Sequence, residues 1–118
     1  MAKYLVLIYG DEQKWDAWSE QEEKANSERH DAFIAAAGAA VIGGNALAAT
    51  STATSVRADA TGRPTFTDGP FLETKEVLGG YYLLEAADLD EAIRLAKQIP
   101  EVQAPYSGVE IRPVREFD

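Results

Sequence analysis

The 118-residue sequence contains no cysteine, one histidine, and 11 lysines and arginines against 20 aspartates and glutamates. Without cysteine there is no disulfide framework, no thiolate nucleophile and no sulfur-bound metal. The net charge of −9 argues against nucleic acid as a partner, because counterion release from phosphates needs a basic face and no run of lysine or arginine supplies one. No apolar stretch approaches the length that spans a bilayer, and the chain opens directly on Tyr4-Leu5-Val6-Leu7-Ile8-Tyr9 without a basic leader or a cleavage signature. A cytoplasmic protein without a membrane partner is expected. Neither a GxGxxG fingerprint nor a P-loop is present, and no pair of ligand-type residues has a diagnostic spacing, so no cofactor and no metal are expected.

What is present is an ordinary globular composition, 46% hydrophobic and 26% charged, far from the regime that stays unfolded and sized for one domain over residues 1–118. Residues 3–9 are apolar on both faces, with Tyr4, Val6 and Ile8 on one side and Leu5, Leu7 and Tyr9 on the other, as in a central strand. A polar turn follows over 10–14. Ser19 with Glu22 three residues on forms a capping box, and the helix it opens runs to Ala37, with Gly38 placed to end it. Val41-Ile42 starts an extended stretch broken at Gly43-Gly44, with Leu47 as a core anchor. Residues 54–58 and 65–67 form a polar edge hairpin around Thr61-Gly62-Arg63-Pro64, and Asp68-Gly69-Pro70-Phe71 breaks the chain. Residues 77–86 are a second central strand. Asp88 caps a second helix with its apolar face at Leu89, Ala92, Ile93 and Ala96, Pro100 marks its end, and residues 108–114 close the chain as a strand.

This order predicts an α+β, ferredoxin-like βαββαβ fold with an extra hairpin. Both helices then cover one face of the sheet. The other face keeps large apolar side chains, and water contact there is unfavourable by about 25 cal/mol per Å². The same face of a second copy is the simplest cover, so a homodimer with sheet packed on sheet is expected.

Two features could carry chemistry. On the first helix the apolar residues Phe33, Ile34 and Ala37 project back, at spacings of three and four, onto His30 and Asn26. These polar positions read as a solvated rim, or with His30 hydrogen-bonded within the core, or else as the wall of a pocket, in which His30 is the one side chain whose ordinary titration suits proton transfer near neutrality. The second feature is the loop Asp68-Gly69-Pro70-Phe71-Leu72-Glu73-Thr74-Lys75-Glu76. Gly69 permits a conformation closed to other residues, Pro70 stiffens the loop and Phe71 can anchor it in the core, so that Asp68 is presented rigidly. Asp before Gly is also an ordinary turn residue, and Glu73, Lys75 and Glu76 also read as a solvated charge cluster.

The loop, followed by Gly79-Gly80-Tyr81-Tyr82 and by Val109-Glu110-Ile111-Arg112-Pro113-Val114, resembles the DGPF-signature branch of the YCII-related proteins over nearly the whole chain. Asp68, Gly69, Pro70, Phe71, Glu73, Thr74, Lys75 and Glu76 match the signature, and Leu72 stands where alanine is common. The resemblance implies a dimeric α/β-barrel arrangement of ferredoxin-like subunits. The wider family includes a dehydrochlorinase acting on a chlorinated hydroxyquinol, in which a histidine of the first helix region is implicated, and His30 lies in that helix. Genes of the branch often adjoin those of extracytoplasmic-function sigma factors, which implies a regulatory partner. Two functions follow as expectations. One is proton transfer, as in isomerisation or elimination on a polar cyclic compound, with His30 as base, Asp68 orienting it, and Tyr9, Asn26, Phe71, Glu73 and Lys75 contacting the ligand. The other is a non-catalytic module that docks a regulatory protein.

Overall fold

Strand β1 spans Ala2–Asp11, and its alternation is visible in burial: Tyr4, Val6 and Ile8 are buried, while Leu5, Leu7 and Tyr9 are half-buried. In this computed structural model, which describes residues 1–117, β1 lies between β5 (Glu76–Ala86) and β6 (Ser107–Pro113), and β5 pairs on its far side with β2 (Val41–Ala46). All three pairings are antiparallel in the order β2-β5-β1-β6, compatible with the ferredoxin-like pattern. β3 (Thr54–Ala58) and β4 (Pro64–Asp68) form a separate two-stranded hairpin between β2 and β5.

Among the described residues, three α-helices accompany the sheet. Helix α2 (Glu20–Ala37) begins at the expected capping box: Ser19 Oγ accepts from the Glu22 amide at 3.1 Å, and Glu22 Oε1 accepts from the Ser19 amide at 3.2 Å. It ends at Gly38, whose φ of 58° suits a residue without Cβ. Helix α3 (Leu89–Ala96) is capped by Asp88, which accepts from the Glu91 amide at 2.9 Å. The first helix was not expected. Residues predicted to form a polar turn instead make a short helix α1 (Glu12–Asp16), because Asp11 folds back to accept from the Gln13 amide at 3.0 Å.

The core lies between the sheet and α2 and α3, where Val6, Ile8, Phe33, Tyr82, Leu84, Leu95, Ala96 and Ile99 pack together. Side chains of this kind contribute about 1.5–3 kcal/mol each when fully buried. Helix α2 takes little part in it: Phe33 is its only buried residue and Ile34 is 41% exposed. The opposite sheet face carries Leu5 opposite Leu83 and Leu7 opposite Tyr81.

Three expectations are corrected: one strand break and two apolar anchors. β2 runs through Gly43 and Gly44 with a register irregularity between Val41 and Gly43, rather than breaking there. Leu47 is 45% exposed. Phe71 is 59% exposed and lies beneath the Arg57 guanidinium, whose Cζ is 3.6 Å from the ring centroid, because the hairpin projects away from the core and offers the ring no apolar seat. Gly69 does adopt the left-handed conformation expected of it, with φ of 106°. Among the described residues, no helix is long and apolar enough to cross a membrane.

Candidate functional site

A cleft of about 590 Å³ opens between the N-terminal half of α2, α1, and the end of the sheet near Gly79. Glu23, Asn26, Ser27, His30 and Ile34 all line it, and their spacing of three and four puts them on one stripe of α2. The polar break in the helix stripe thus borders the cleft, with Asn26 and His30 half-buried and Glu23 and Ser27 exposed.

The floor is made by glycine. β5 carries one extra residue, Gly79, opposite the Ile8–Tyr9 step of β1, and the indole of Trp15 from α1 packs against it. A Cβ on Gly79 would stand 2.5 Å from the Trp15 ring and one on Gly10 would stand 2.3 Å from it, so these two positions leave room for the indole. Across the cleft, Trp18 is held by a hydrogen bond from Nε1 to Tyr106 Oη at 3.1 Å.

At the inner end, both nitrogens of His30 are engaged. Nδ1 lies 2.7 Å from Tyr82 Oη, while Nε2 lies 3.0 Å from Glu101 Oε2, in line for a hydrogen bond, and 2.8 Å from Oε1. Asn26 Nδ2 donates to the same Oε2 at 3.2 Å. Oε1, shielded from solvent, receives no directed hydrogen bond despite its closeness to the ring. A carboxylate accepts only, so in the neutral ring Nε2 carries the proton and Nδ1 accepts from the Tyr82 hydroxyl. The Tyr82 ring is in turn wedged by Phe33, with centroids 5.0 Å apart.

Burial alone would raise the carboxyl titration of Glu101, but the hydrogen bond and charge of His30, with the Asn26 bond, outweigh it and leave Glu101 below its ordinary value. Tyr82 is pushed the other way, up to about 12, by burial and by the negative charges of Glu101 and Asp31. Its folded value lies above its ordinary one, so stability from this group is complete below pH 10 and is lost as pH rises through about 12. Titration of tyrosinate absorbance should show one phenol ionising near pH 12, and Glu101→Gln should move that step downward. A step that stays put in the variant would remove Glu101 as the cause.

Of the residues expected from sequence, the structure brings His30 and Asn26 into the cleft and leaves the rest outside its lining. Asp68 sits exposed at the end of β4, so the partner of His30 within the chain is Glu101. The hairpin carries Asp68 away from α2, whereas the turn after α3 brings Glu101 beneath it. Tyr9 lies with Glu76 and Ser107 in a separate shallow depression. Phe71 and Glu73 are exposed, and Lys75, also exposed, reaches Asp11 with Nζ 3.9 Å from Oδ2. Sequence reasoning missed Glu101, Tyr82, Trp15 and Trp18. Pro100, read only as a stop, in fact opens the 3-10 turn Pro100–Gln103 that buries Glu101 beneath α2.

A family model for the YCII-related domain matches residues 2–118. The chain belongs to the YCII-related family. An uncharacterised protein of Rhizobium meliloti (strain 1021) is 34% identical over 112 residues, covering 94% of this chain and 90% of that relative. Within this YCII-related chain, the histidine of the first long helix therefore stands in a cleft and is locked between a phenol and a carboxylate.

Proposed function

We propose that this YCII-related protein is a homodimer that binds a small cyclic molecule in the α2 cleft and moves a proton there. One observation carries the reading: His30 bridges the Tyr82 hydroxyl and the buried Glu101 carboxylate at the inner end of a 590 Å³ cleft. With both ring nitrogens occupied, the group that meets the ligand is Tyr82. Its oxygen takes the ligand's proton as its own proton passes to His30 Nδ1, and the resulting imidazolium is held by Glu101. His30 is then the base behind a phenol, in place of the direct base expected from sequence. The cleft suits isomerisation or elimination on a ring.

A coloured elimination substrate, nitrobenzisoxazole, tests this. Its C–H proton leaves, its N–O bond breaks, and the electron pair stays on the oxygen of the released phenolate. Turnover by the wild type should exceed that of His30→Gln and of Tyr82→Phe by about 100-fold, the lower end of what a positioned base supplies. Equal rates in all three proteins would sink the relay.

A second reading, a module that docks a regulatory protein, is supported by a different feature. The hairpin leaves Val56, Phe66, Phe71 and Leu72 each more than half exposed. Loss of partner capture on deleting residues 55–72, with the elimination rate unchanged, would assign docking to the hairpin and chemistry to the cleft.

A further inference from the structure

The α2 cleft has a charge pattern that narrows its ligand. Four carboxylates line it, those of Glu12, Asp16, Glu23 and Glu101, and among the described residues no lysine or arginine does. They are not equivalent. Glu12 is spent on structure: its two oxygens accept from the Thr50 hydroxyl at 2.5 Å and the Thr50 amide at 2.9 Å, tying α1 to the loop after β2. Glu101 belongs to the His30 relay, where the ring Nε2 lies 2.8 Å from its buried Oε1, so its charge is engaged by the imidazole. Asp16 and Glu23 are exposed at the outer end.

The rings of Trp15 and Trp18 line the same cleft. An indole face attracts a cation through its quadrupole, and Trp is the strongest of the aromatic side chains in this respect. An anionic ligand would meet four like charges and no donor cation. A protonated amine would meet the attractive charge of Asp16 and Glu23 and the aromatic surface of two indoles.

We propose that the cleft selects a cyclic or aromatic amine in its protonated form and rejects carboxylate and phosphate ligands. The inference rests on the reading that the cleft binds a small molecule, and it adds the ligand's charge. The ring lies against the Trp15 indole on its glycine floor, and the ammonium group is drawn by Asp16 and Glu23.

Three probes of one size but different charge test it by quenching of tryptophan fluorescence at neutral pH: benzylamine, benzyl alcohol and benzoate. Benzylamine should bind at least about tenfold more tightly than benzoate, with benzyl alcohol between them. In the double variant Asp16→Asn, Glu23→Gln the gap between amine and carboxylate should narrow to about twofold, while benzyl alcohol is unaffected. Both positions are exposed, so the variant is expected to fold, and its melting temperature checks this. Benzoate binding as tightly as benzylamine overturns the inference, as does a gap the double variant leaves unchanged. If no probe binds while nitrobenzisoxazole is turned over through His30, the charge preference falls and the pocket stands. If neither is seen, both fall together.

Discussion

Leu83→Asp is expected to convert the protein from a species of twice the chain mass into a monomer. Cross-strand partners point to the same face, so the register that sets Leu5 against Leu83 and Leu7 against Tyr81 puts four large side chains in one block on the face opposite the helices. On the β6 side, Leu5 is flanked by Arg112 and Leu7 by Glu110, and those two charges pair with each other at 3.2 Å. An apolar centre with a charged margin is how protein interfaces are built. An aspartate at the centre of two facing sheets would bring two like charges together where neither can be hydrated, a cost of several kcal/mol that a sheet-on-sheet contact cannot absorb. Sedimentation velocity at micromolar concentration decides it. A wild type that already sediments as a monomer overturns the dimer, whatever the variant does. Arg112→Ala is a control at the rim and should leave the dimer intact.

That face also shows how far the sequence could be read. Alternation along 3–9 told which residues of β1 share a side, and burial follows it residue by residue. Both caps, at Ser19 and Asp88, were legible because the interaction that starts a helix lies within three residues of chain. The tyrosine pair of β5 was not. Tyr81 and Tyr82 are neighbours of one type, and only the register against β1 sends Tyr82 inward to Phe33 and His30. Phe71 failed for the opposite reason. Its size suggested burial, but burial depends on a neighbouring surface, and a hairpin paired only with itself supplies none beyond the Arg57 guanidinium. The site divided in the same way. His30 and Asn26 announced themselves by interrupting a helical stripe. Glu101 lies 71 residues from His30, on a turn whose local pattern speaks only of Pro100 ending a helix, and nothing in that pattern names a partner.

Glu101→Gln should lower the stability of the folded protein by about 1.5–3 kcal/mol near neutral pH, the usual worth of a buried hydrogen bond to a charged group. The substitution keeps the shape of the side chain, and Asn26 can still donate to the amide oxygen, so the loss comes from the charge facing His30. The pH dependence gives the sharper test. Glu101 titrates below its ordinary value of 4.5 in the folded protein, so the folded state holds fewer protons there than the unfolded chain does. Its stabilising contribution is therefore complete above the unfolded value and drains away as pH falls through the lower, folded one. Urea unfolding of the wild type and the variant between pH 3 and pH 5 should show a gap that shrinks steadily as pH falls below 4.5. A gap that holds its full size at pH 3 would mean that the carboxylate charge is not what stabilises the pair. The variant would then be weaker for packing reasons alone, and the relay through Tyr82 would lose the group that holds its imidazolium.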